Sequence, residues 1–368
     1  MNKLHPFTCV ILLFGSVVFS TASAFNSLYV FGDGICTTTN NPSPGPQYYG
    51  KRYANGRVWI EVLAQRQGLA YDANKNWSYF GQDSGNLVTN VSRFTAPADA
   101  TNDLFVVWAN DADFVGFLGE LNPPYSTNSS LVAWTTNMNL SLTNHYKAIT
   151  NLFAKGVRTL VMPNAVNLME IPAYDNLGSS DRSFVRQRIL AYNIAFTNTL
   201  NQANALCPGL KIFAPDIFSL LDNVLTNAAY YGLTNAVVNL GQGNISVAAI
   251  NAPLITAATN GPGTNFIFWD DFDPTAKMHE VVADYVQQLI SPVQVGQITA
   301  LNGSNRLDIV NTPVGLNGFV DGFADLAATN WASVKSFSST NVNQSVFVPV
   351  TGSQWFYRLR FPYAWSWP

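Results

Sequence analysis

The sequence predicts an α/β domain, a three-layer α/β/α sandwich around a parallel sheet, followed by a small all-β module. Short apolar runs typical of buried strands alternate with longer stretches at helical spacing up to about residue 290. Beyond residue 292, strand-like segments lie between Asn, Gly and Ser turns. With 368 residues, of which 48% are hydrophobic and 13% aromatic, the chain is long enough for about two packed domains.

The α/β domain has five predicted strands, at residues 27–31, 104–108, 158–162, 210–214 and 265–269. Helical spacing occurs near residues 58–67, 138–153 and 278–289. The clearest helix carries apolar side chains at steps of three and four, namely Val185, Ile189, Tyr192, Phe196 and Leu200. Alternating strands and helices imply right-handed crossovers and helices on both faces of the sheet. Ligands then bind beyond the carboxyl ends of the strands, at residues 32–37, 109–113 and 270–275.

The C-terminal module is predicted to span residues 293–368, with strands near 295–301, 306–310, 345–350 and 355–361. It contains four aromatic residues that could bind carbohydrate, namely Trp355, Tyr363, Trp365 and Trp367. The interpretation we favour is a structural cap, because aromatic side chains usually form the core of such a module.

The first 24 residues have the pattern of a secretory signal. Lys3 is followed by an apolar run over residues 7–19, and Ala22-Ser23-Ala24 is a small-residue cleavage site. The alternative, a membrane anchor, is less favoured because the run is shorter than the ~20 residues of a membrane span. We therefore expect a secreted or periplasmic protein whose first domain spans residues 25–292, with no later membrane segment.

Removal of this segment leaves two cysteines, Cys36 and Cys207, which could form one disulfide, and two histidines. We expect His145 at the surface and His279 as a partly exposed helix residue. Charged residues make up 11% of the chain and the net charge is −3. Without a basic run the chain is not expected to bind nucleic acid. Without a His or Cys cluster it is expected to bind no metal, and we predict no cofactor.

Six motifs occur in a characteristic order. They are Phe-Gly-Asp-Gly-Ile at 31–35 with a trailing Asn40, Asn-Gly-Arg-Val-Trp at 55–59, Asn-Trp-Ser-Tyr-Phe-Gly at 76–81, Trp-Ala-Asn-Asp at 108–111, a Gly-Val-Arg strand with its loop over 156–172, and Phe-Trp-Asp-Asp-Phe-Asp-Pro-Thr at 268–275. Together they resemble the SGNH, or GDSL, ester hydrolase family over most of residues 25–290. The resemblance implies an ester or carbohydrate ligand, such as a lipid ester or an acetylated polysaccharide.

The resemblance also implies site residues. In the family a serine attacks the ester carbonyl, a histidine takes its proton, and an aspartate orients that histidine. Here Gly34 stands at the serine position, Asp273 at the histidine position, and Asp270 at the position of the orienting aspartate. The predicted oxyanion donors are the Gly81 amide and the Asn110 side chain.

We expect a catalytically degenerate member, because Gly34 has no attacking group and an ordinary aspartate, with a pKa near ~3.9, is a poor base at neutral pH. Two alternatives stay open: a non-catalytic glycan- or ester-binding protein, and an esterase with a relocated nucleophile, Cys36 or Ser84. Water-based hydrolysis assisted by Asp270 and Asp273 is a further possibility.

Structural interpretations exist for the same residues. Asp273 can be the N-cap of the following helix with Pro274 at its first position. Gly34 can serve a tight strand-to-helix turn, Asp270 can simply end a strand, and Asn110 can hold its loop through backbone hydrogen bonds.

Overall fold

The computed structural model describes residues 25–39, 44–233, 237–239, 244–246, 265–323, 331–350, 355–362 and 365–367. The predicted signal segment, Asn40 and Tyr363 lie outside the described residues, and so do the side chains of Trp365 and Trp367. The predicted domain boundary at residue 292 stays a prediction.

A parallel sheet forms the centre of the first domain. Its strands follow one another in chain order: β1 (Leu28–Gly32), β2 (Leu104–Trp108), β3 (Thr159–Val161) and β4 (Lys211–Phe213). Every residue of β2 is buried, which explains its continuous apolar run. A short antiparallel pair, β5 (Val237–Asn239) and β6 (Asn244–Ser246), lies apart from this sheet.

Seven helices surround the sheet in the described part of the chain: α1 (Trp59–Arg66), α2 (Ser84–Arg93), α3 (Asn110–Glu120), α4 (Asn128–Ala154), α5 (Ser179–Leu206), α6 (Ile217–Thr226) and α7 (Ala276–Ile290). Because the strands progress in one direction, right-handed crossovers bring the connecting helices to one face. Accordingly, α2, α3, α4 and α5 pack among themselves, and α1 packs against α7. The predicted three-layer α/β/α fold is confirmed.

The prediction of a fifth strand at residues 265–269 is wrong. Among the described residues the parallel sheet has four strands, and Phe268 forms only an isolated antiparallel bridge with Pro274. The chain reverses at Asp270, so that the backbone N–H of Thr275 bonds to the carbonyl of Ile267 at 3.0 Å. The segment therefore pairs with its own continuation rather than with β4.

The prediction that Asp273 caps α7 is also wrong. The N-cap is Thr275, whose side chain accepts a hydrogen bond from the Met278 N–H, and Pro274 precedes the cap. Asp273 stays in the preceding turn, because its carbonyl accepts the N–H of Trp269 at 2.8 Å. Its carboxyl group is thus not used by the helix end.

The C-terminal module is a pair of antiparallel sheets. Its strands are β7 (Gln294–Leu301), β8 (Ser304–Val310), β9 (Asn317–Phe323), β10 (Ala332–Ser338), β11 (Asn343–Pro349), β12 (Phe356–Phe361) and β13 (Trp365–Trp367). One sheet has the order β11-β8-β7 and the other β10-β9-β12-β13. Small apolar side chains, including Leu307, Ile309 and Val320, form a separate core. The prediction of an all-β module is confirmed, although β9, β10 and β13 were not predicted.

Arg66, at the end of α1, joins the module to the α/β domain. Its Nε lies 2.7 Å from a carboxylate oxygen of Asp284 on α7, and its Nη1 donates to the carbonyl of Val314 at 3.1 Å. The N–H of Val314 returns a bond to the Arg66 carbonyl at 3.2 Å. This contact supports the structural interpretation of the module.

No helix in the described part of the chain combines the length and apolarity that a bilayer crossing needs.

Candidate active site

The segments that follow β1 and β2 meet at the carboxyl edge of the sheet, as predicted. The N–H of Asp33 bonds to the carbonyl of Trp108 at 3.1 Å. Residues 76–81 run alongside β1, since the N–H of Trp77 bonds to Val30 and that of Tyr79 to Gly32. This strand-like pairing brings Gly81 to the same edge.

Gly34 and Asp273 lie side by side. A Cβ atom on Gly34 would stand 3.9 Å from Oδ1 of Asp273. The resemblance assigns Gly34 to the nucleophile and Asp273 to its base. These two positions are neighbours in space, although they lie 239 positions apart in the sequence. Gly34 begins a 3-10 turn over Gly34–Cys36, which Asp33 caps by accepting the Ile35 N–H.

Phe80 covers Gly34. The same Cβ atom would approach Cδ2 of Phe80 to 3.1 Å, which is tighter than ordinary carbon contacts. The Phe80 ring stacks on Tyr53 with ring centroids 4.9 Å apart, and 55% of its surface is exposed. Phe80 thus fills space that a serine side chain would need. The sequence motif contained a signal for it, because Phe80 occupies the first-glycine position of the resembled segment.

The carboxylate of Asp270 accepts hydrogen bonds from its own loop and from Tyr48. Its Oδ1 accepts the N–H groups of Phe272 at 2.8 Å and Asp273 at 2.7 Å, and its Oδ2 accepts the hydroxyl of Tyr48 at 2.9 Å. Burial raises the pKa of Asp270, and these hydrogen bonds oppose the shift. Asp270 therefore holds the turn that positions Asp273, whereas in the family's triad it would orient a histidine.

Gly81 points an open backbone face into the site. Its φ of +73° is a left-handed conformation that favours glycine, and no atom lies within 4 Å of a hypothetical Cβ. Within the described ranges, neither the Gly81 amide nor the Gly34 amide donates a hydrogen bond. Both N–H groups are available to a ligand oxygen.

Asn110 lies deeper than these amides. It is the first residue of α3, is completely buried, and donates from Nδ2 to the carbonyl of Pro163 at 3.0 Å. This bond agrees with the interpretation that Asn110 holds a loop. Its role as an oxyanion donor stays a prediction.

A largely apolar pocket of about 380 Å³ opens at this edge. Gly34, Phe80, Gly81 and Asp273 line one part of it, and the rest of the wall is mainly aliphatic, including Val115, Leu168, Ile171, Ile217, Leu221 and Val282. The aliphatic residues from α6 were not predicted, because an apolar helix face has the same pattern whether it borders a core or a cavity. The size and apolar character suit a small amphiphilic ligand.

Three carboxyl groups of the pocket are buried: Asp33, Asp111 and Asp273. Burial, helped by the Asp111 carboxylate, raises the pKa of Asp33 well above its usual range. Burial and the nearby Asp270 do the same for Asp273. Burial raises the pKa of Asp111 to about 7, although the Val166 N–H donates to its Oδ1. Burial therefore favours the protonated, uncharged form of Asp33 and of Asp273. Asp33 and Asp111 lie within the predicted ligand-binding segments 32–37 and 109–113, but the sequence assigned neither of them a role.

The relocated nucleophiles considered from the sequence do not line the pocket. Cys36 is buried and its Sγ accepts the indole N–H of Trp59 at 3.3 Å, while burial raises the pKa of its thiol well above the usual range. The hydroxyl of Ser84 is buried and accepts from Asn144 at 3.1 Å. Cys36 and Cys207 are both free thiols in the structure.

The expectations for both histidines are wrong. His145 and His279 are each fully buried. His145 bonds through Nδ1 to the carbonyl of Ser141, one turn earlier on α4. Burial lowers the pKa of His279 to about 3. Polar sequence neighbours suggested exposure for His145, but the helix turns that residue toward α5, where its ring contacts Phe196.

No group of three or more potential metal ligands occurs in the described ranges. The predicted lack of a metal, a cofactor and a nucleic-acid partner stays a prediction.

The fold is that of an α/β protein, and the pocket lies at the carboxyl edge of its parallel sheet. Residues 28–286 match the model of the GDSL-like lipase/acylhydrolase family, and the chain belongs to that family. Two GDSL esterase/lipases of Arabidopsis thaliana are 25% and 26% identical to it. The matched stretches cover 44% and 45% of this chain and 44% and 46% of those relatives. The chain thus spans under half the length of these relatives.

Solved structures are similar at lower identity. A lipase from a goat rumen metagenome is 9% identical, with a TM-score of 0.41, and the match covers 72% of this chain and 97% of that one. A catalytic mutant of an acetylxylan esterase from Geobacillus stearothermophilus is 12% identical, with a TM-score of 0.42, over 73% of this chain and 94% of that one.

Proposed function

We propose that this chain is an exported, catalytically degenerate member of the family, which binds an ester-bearing or acyl ligand without serine-dependent hydrolysis. One observation carries the proposal. The nucleophile position, Gly34, has no side chain, the Phe80 ring covers it at 3.1 Å from a hypothetical Cβ, and the carboxyl of Asp273 replaces the base.

The chemistry of acyl transfer supports this proposal. Attack on an ester needs a nucleophilic oxygen or sulfur and a base that can accept its proton. Gly34 supplies no such atom, and burial of Asp273 favours its protonated form, which cannot accept a proton. Asp270 has no histidine to orient, since its oxygens bind the loop and Tyr48.

The binding elements of an ester hydrolase are nevertheless retained. The amides of Gly34 and Gly81 can donate to a carbonyl oxygen, and the aliphatic wall can cover an apolar chain. A lipid-like ester fits this wall better than an acetylated sugar does, because a sugar needs many hydroxyl partners. The glycan-binding alternative therefore has less support.

A second candidate function is hydrolysis by a carboxylate-activated water. The observation that favours it is the pair Asp33 and Asp111. Burial raises the pKa of Asp33 well above its usual range and that of Asp111 to about 7, so the two carboxyls could divide the roles of acid and base in one site.

The test measures hydrolysis and binding with the same protein, residues 25–368. Wild type is expected to hydrolyse short-chain nitrophenyl esters no faster than buffer, and to bind a medium-chain methyl ester in calorimetry. Robust turnover would contradict the proposal. If Asp111→Asn abolished that turnover, the second candidate would replace it, and a loss with Cys36→Ala would favour a relocated thiol.

A further inference from the structure

The charges around the pocket limit the ligands that it can hold. Resting on the proposed function, we infer that the pocket takes uncharged amphiphiles, with a carbonyl oxygen at the Gly34 and Gly81 amides and an aliphatic chain inside, and excludes anions of the same chain length.

The lining contains acids and no base. Four carboxylic acids contribute to it, namely Asp33, Asp83, Asp111 and Asp273, and the described lining includes no lysine, arginine or histidine. Asp33 lies close enough to Asp273 that its negative charge helps to raise the pKa of Asp273. An anionic head group would therefore meet carboxyl groups without a compensating cation.

Each element that lines the pocket contributes carboxylic acids or no ionisable side chain to the lining itself. The ionisable groups are Asp33 and Cys36 on the turn after β1, Tyr48 and Tyr53 on the following loop, Asp83 before α2, Asp111 and Asp113 on α3 with His145 beside Asp113, and Asp270, Asp271 and Asp273 before α7. From α6 and α7 the lining receives only aliphatic and thioether side chains, such as Leu221 and Met278. His145 is buried behind α3 and its pKa is lowered by that burial, so it does not neutralise the pocket.

Desolvation then separates neutral from charged ligands. Moving an ionised carboxylate or sulfate into an apolar site is costly unless a cation pairs with it. An ester gives up weaker hydration, and its carbonyl can recover hydrogen bonds from the two free amides. When protonated, the Asp273 carboxyl can also donate a hydrogen bond to a ligand oxygen. The pocket is therefore matched to a neutral head group.

Calorimetry at pH 6, below micelle-forming concentrations, can compare three ligands with ten-carbon chains: methyl decanoate, decyl sulfate and decylamine. We expect the ester to bind at least about tenfold more tightly than the permanently charged sulfate, which corresponds to about 1.4 kcal/mol. The protonated amine should bind no more tightly than the ester. Equal affinity for ester and sulfate, or tightest binding of the amine, would overturn the inference.

The two proposals fail in different ways. If no ligand binds, the proposed binding function fails together with the selectivity. If the ester and the sulfate bind equally, the binding function stands and only the selectivity fails. Hydrolysis of the ester during the titration would contradict the proposed loss of catalysis. The selectivity could still be measured from the initial binding of the ester and the sulfate.

Asp111→Asn gives a second readout, because the carboxyl of Asp111 ionises near pH 7. In wild type the preference for the ester over decyl sulfate should grow from pH 6 to pH 8 as negative charge accumulates. The variant should show a smaller increase, whereas Asp99→Asn, on an exposed residue outside the lining and its surrounding charges, should behave as wild type. Thermal melting of both variants checks their folding. An unchanged pH response in Asp111→Asn would overturn the electrostatic origin of the selectivity.

Discussion

A Cβ atom on Gly34 would lie 3.1 Å from Cδ2 of Phe80, so these two residues are sterically complementary. Residue 34 has no side chain, and the phenyl ring of Phe80 lies against the space that a side chain there would enter. The ring stacks on Tyr53. A serine placed at residue 34 would therefore need the Phe80 ring to shift by a few tenths of an ångström.

Hydrolysis should return only when all three positions change together. We expect Gly34→Ser/Asp273→His/Phe80→Gly to hydrolyse nitrophenyl acetate at least about tenfold faster, in kcat/KM, than Gly34→Ser/Asp273→His. The reason is that the Phe80 ring crowds the new hydroxyl in the double variant. The matched control replaces Gly34 by alanine in the triple background, which adds Cβ without the hydroxyl. A double variant as active as the triple would show that the Phe80 ring moves away freely.

Stability should fall as the pH rises from 4 to 7. The folded protein keeps a proton on Asp111 up to a pKa of about 7, whereas the unfolded chain releases it near ~4. The unfolded state thus binds fewer protons in this window, and the free energy of unfolding decreases with pH. For Asp111 alone the loss is at most about 4 kcal/mol. Denaturant titrations should show a shallower pH dependence in Asp111→Asn, and an identical slope would contradict the assignment.

The ion pair between Arg66 and Asp284 should be important for stability. Arg66→Ala leaves the buried Asp284 carboxylate without its cation and removes the bond to Val314, so we expect a loss of about 3–5 kcal/mol in the free energy of unfolding. Arg57→Ala is the control, since among the described residues that exposed side chain hydrogen-bonds only to Gln65, and it should cost less than about 0.5 kcal/mol. Similar losses for both variants, measured by denaturant unfolding, would be evidence against the junction described above.

The thiols should be unreactive in the native state. Cys36 is 0% and Cys207 3% exposed, and burial raises the pKa of each, so neither forms an accessible thiolate. In residues 25–368, a thiol reagent should label no cysteine before unfolding and two after it. Rapid labelling of Cys36 in the native protein would reopen its candidacy as a nucleophile, and fewer than two labelled thiols after unfolding would indicate a disulfide.

The sequence predicted most of the fold because local patterns are sufficient for it. Continuous apolar runs marked β1 and β2, and side chains at helical spacing marked α5. The prediction from sequence failed where contacts between distant segments determine the local structure. Residues 265–269 have the pattern of a strand, but their hydrogen bonds go to the turn at Asp270. His145 lies in a polar segment, yet helix packing buries it.

For the site, the amino-acid sequence by itself determined the side chains at two positions of the resembled motifs: residue 34 is a glycine, which has no nucleophilic atom, and residue 273 is an aspartate. Only the tertiary structure decided what Gly34 and Asp273 face. Chain segments far apart in sequence bring the Phe80 ring against Gly34 and the Asp33 carboxyl near Asp273. Burial there raises the pKa values of the carboxyls, because desolvation depends on neighbours from several elements that no local pattern encodes.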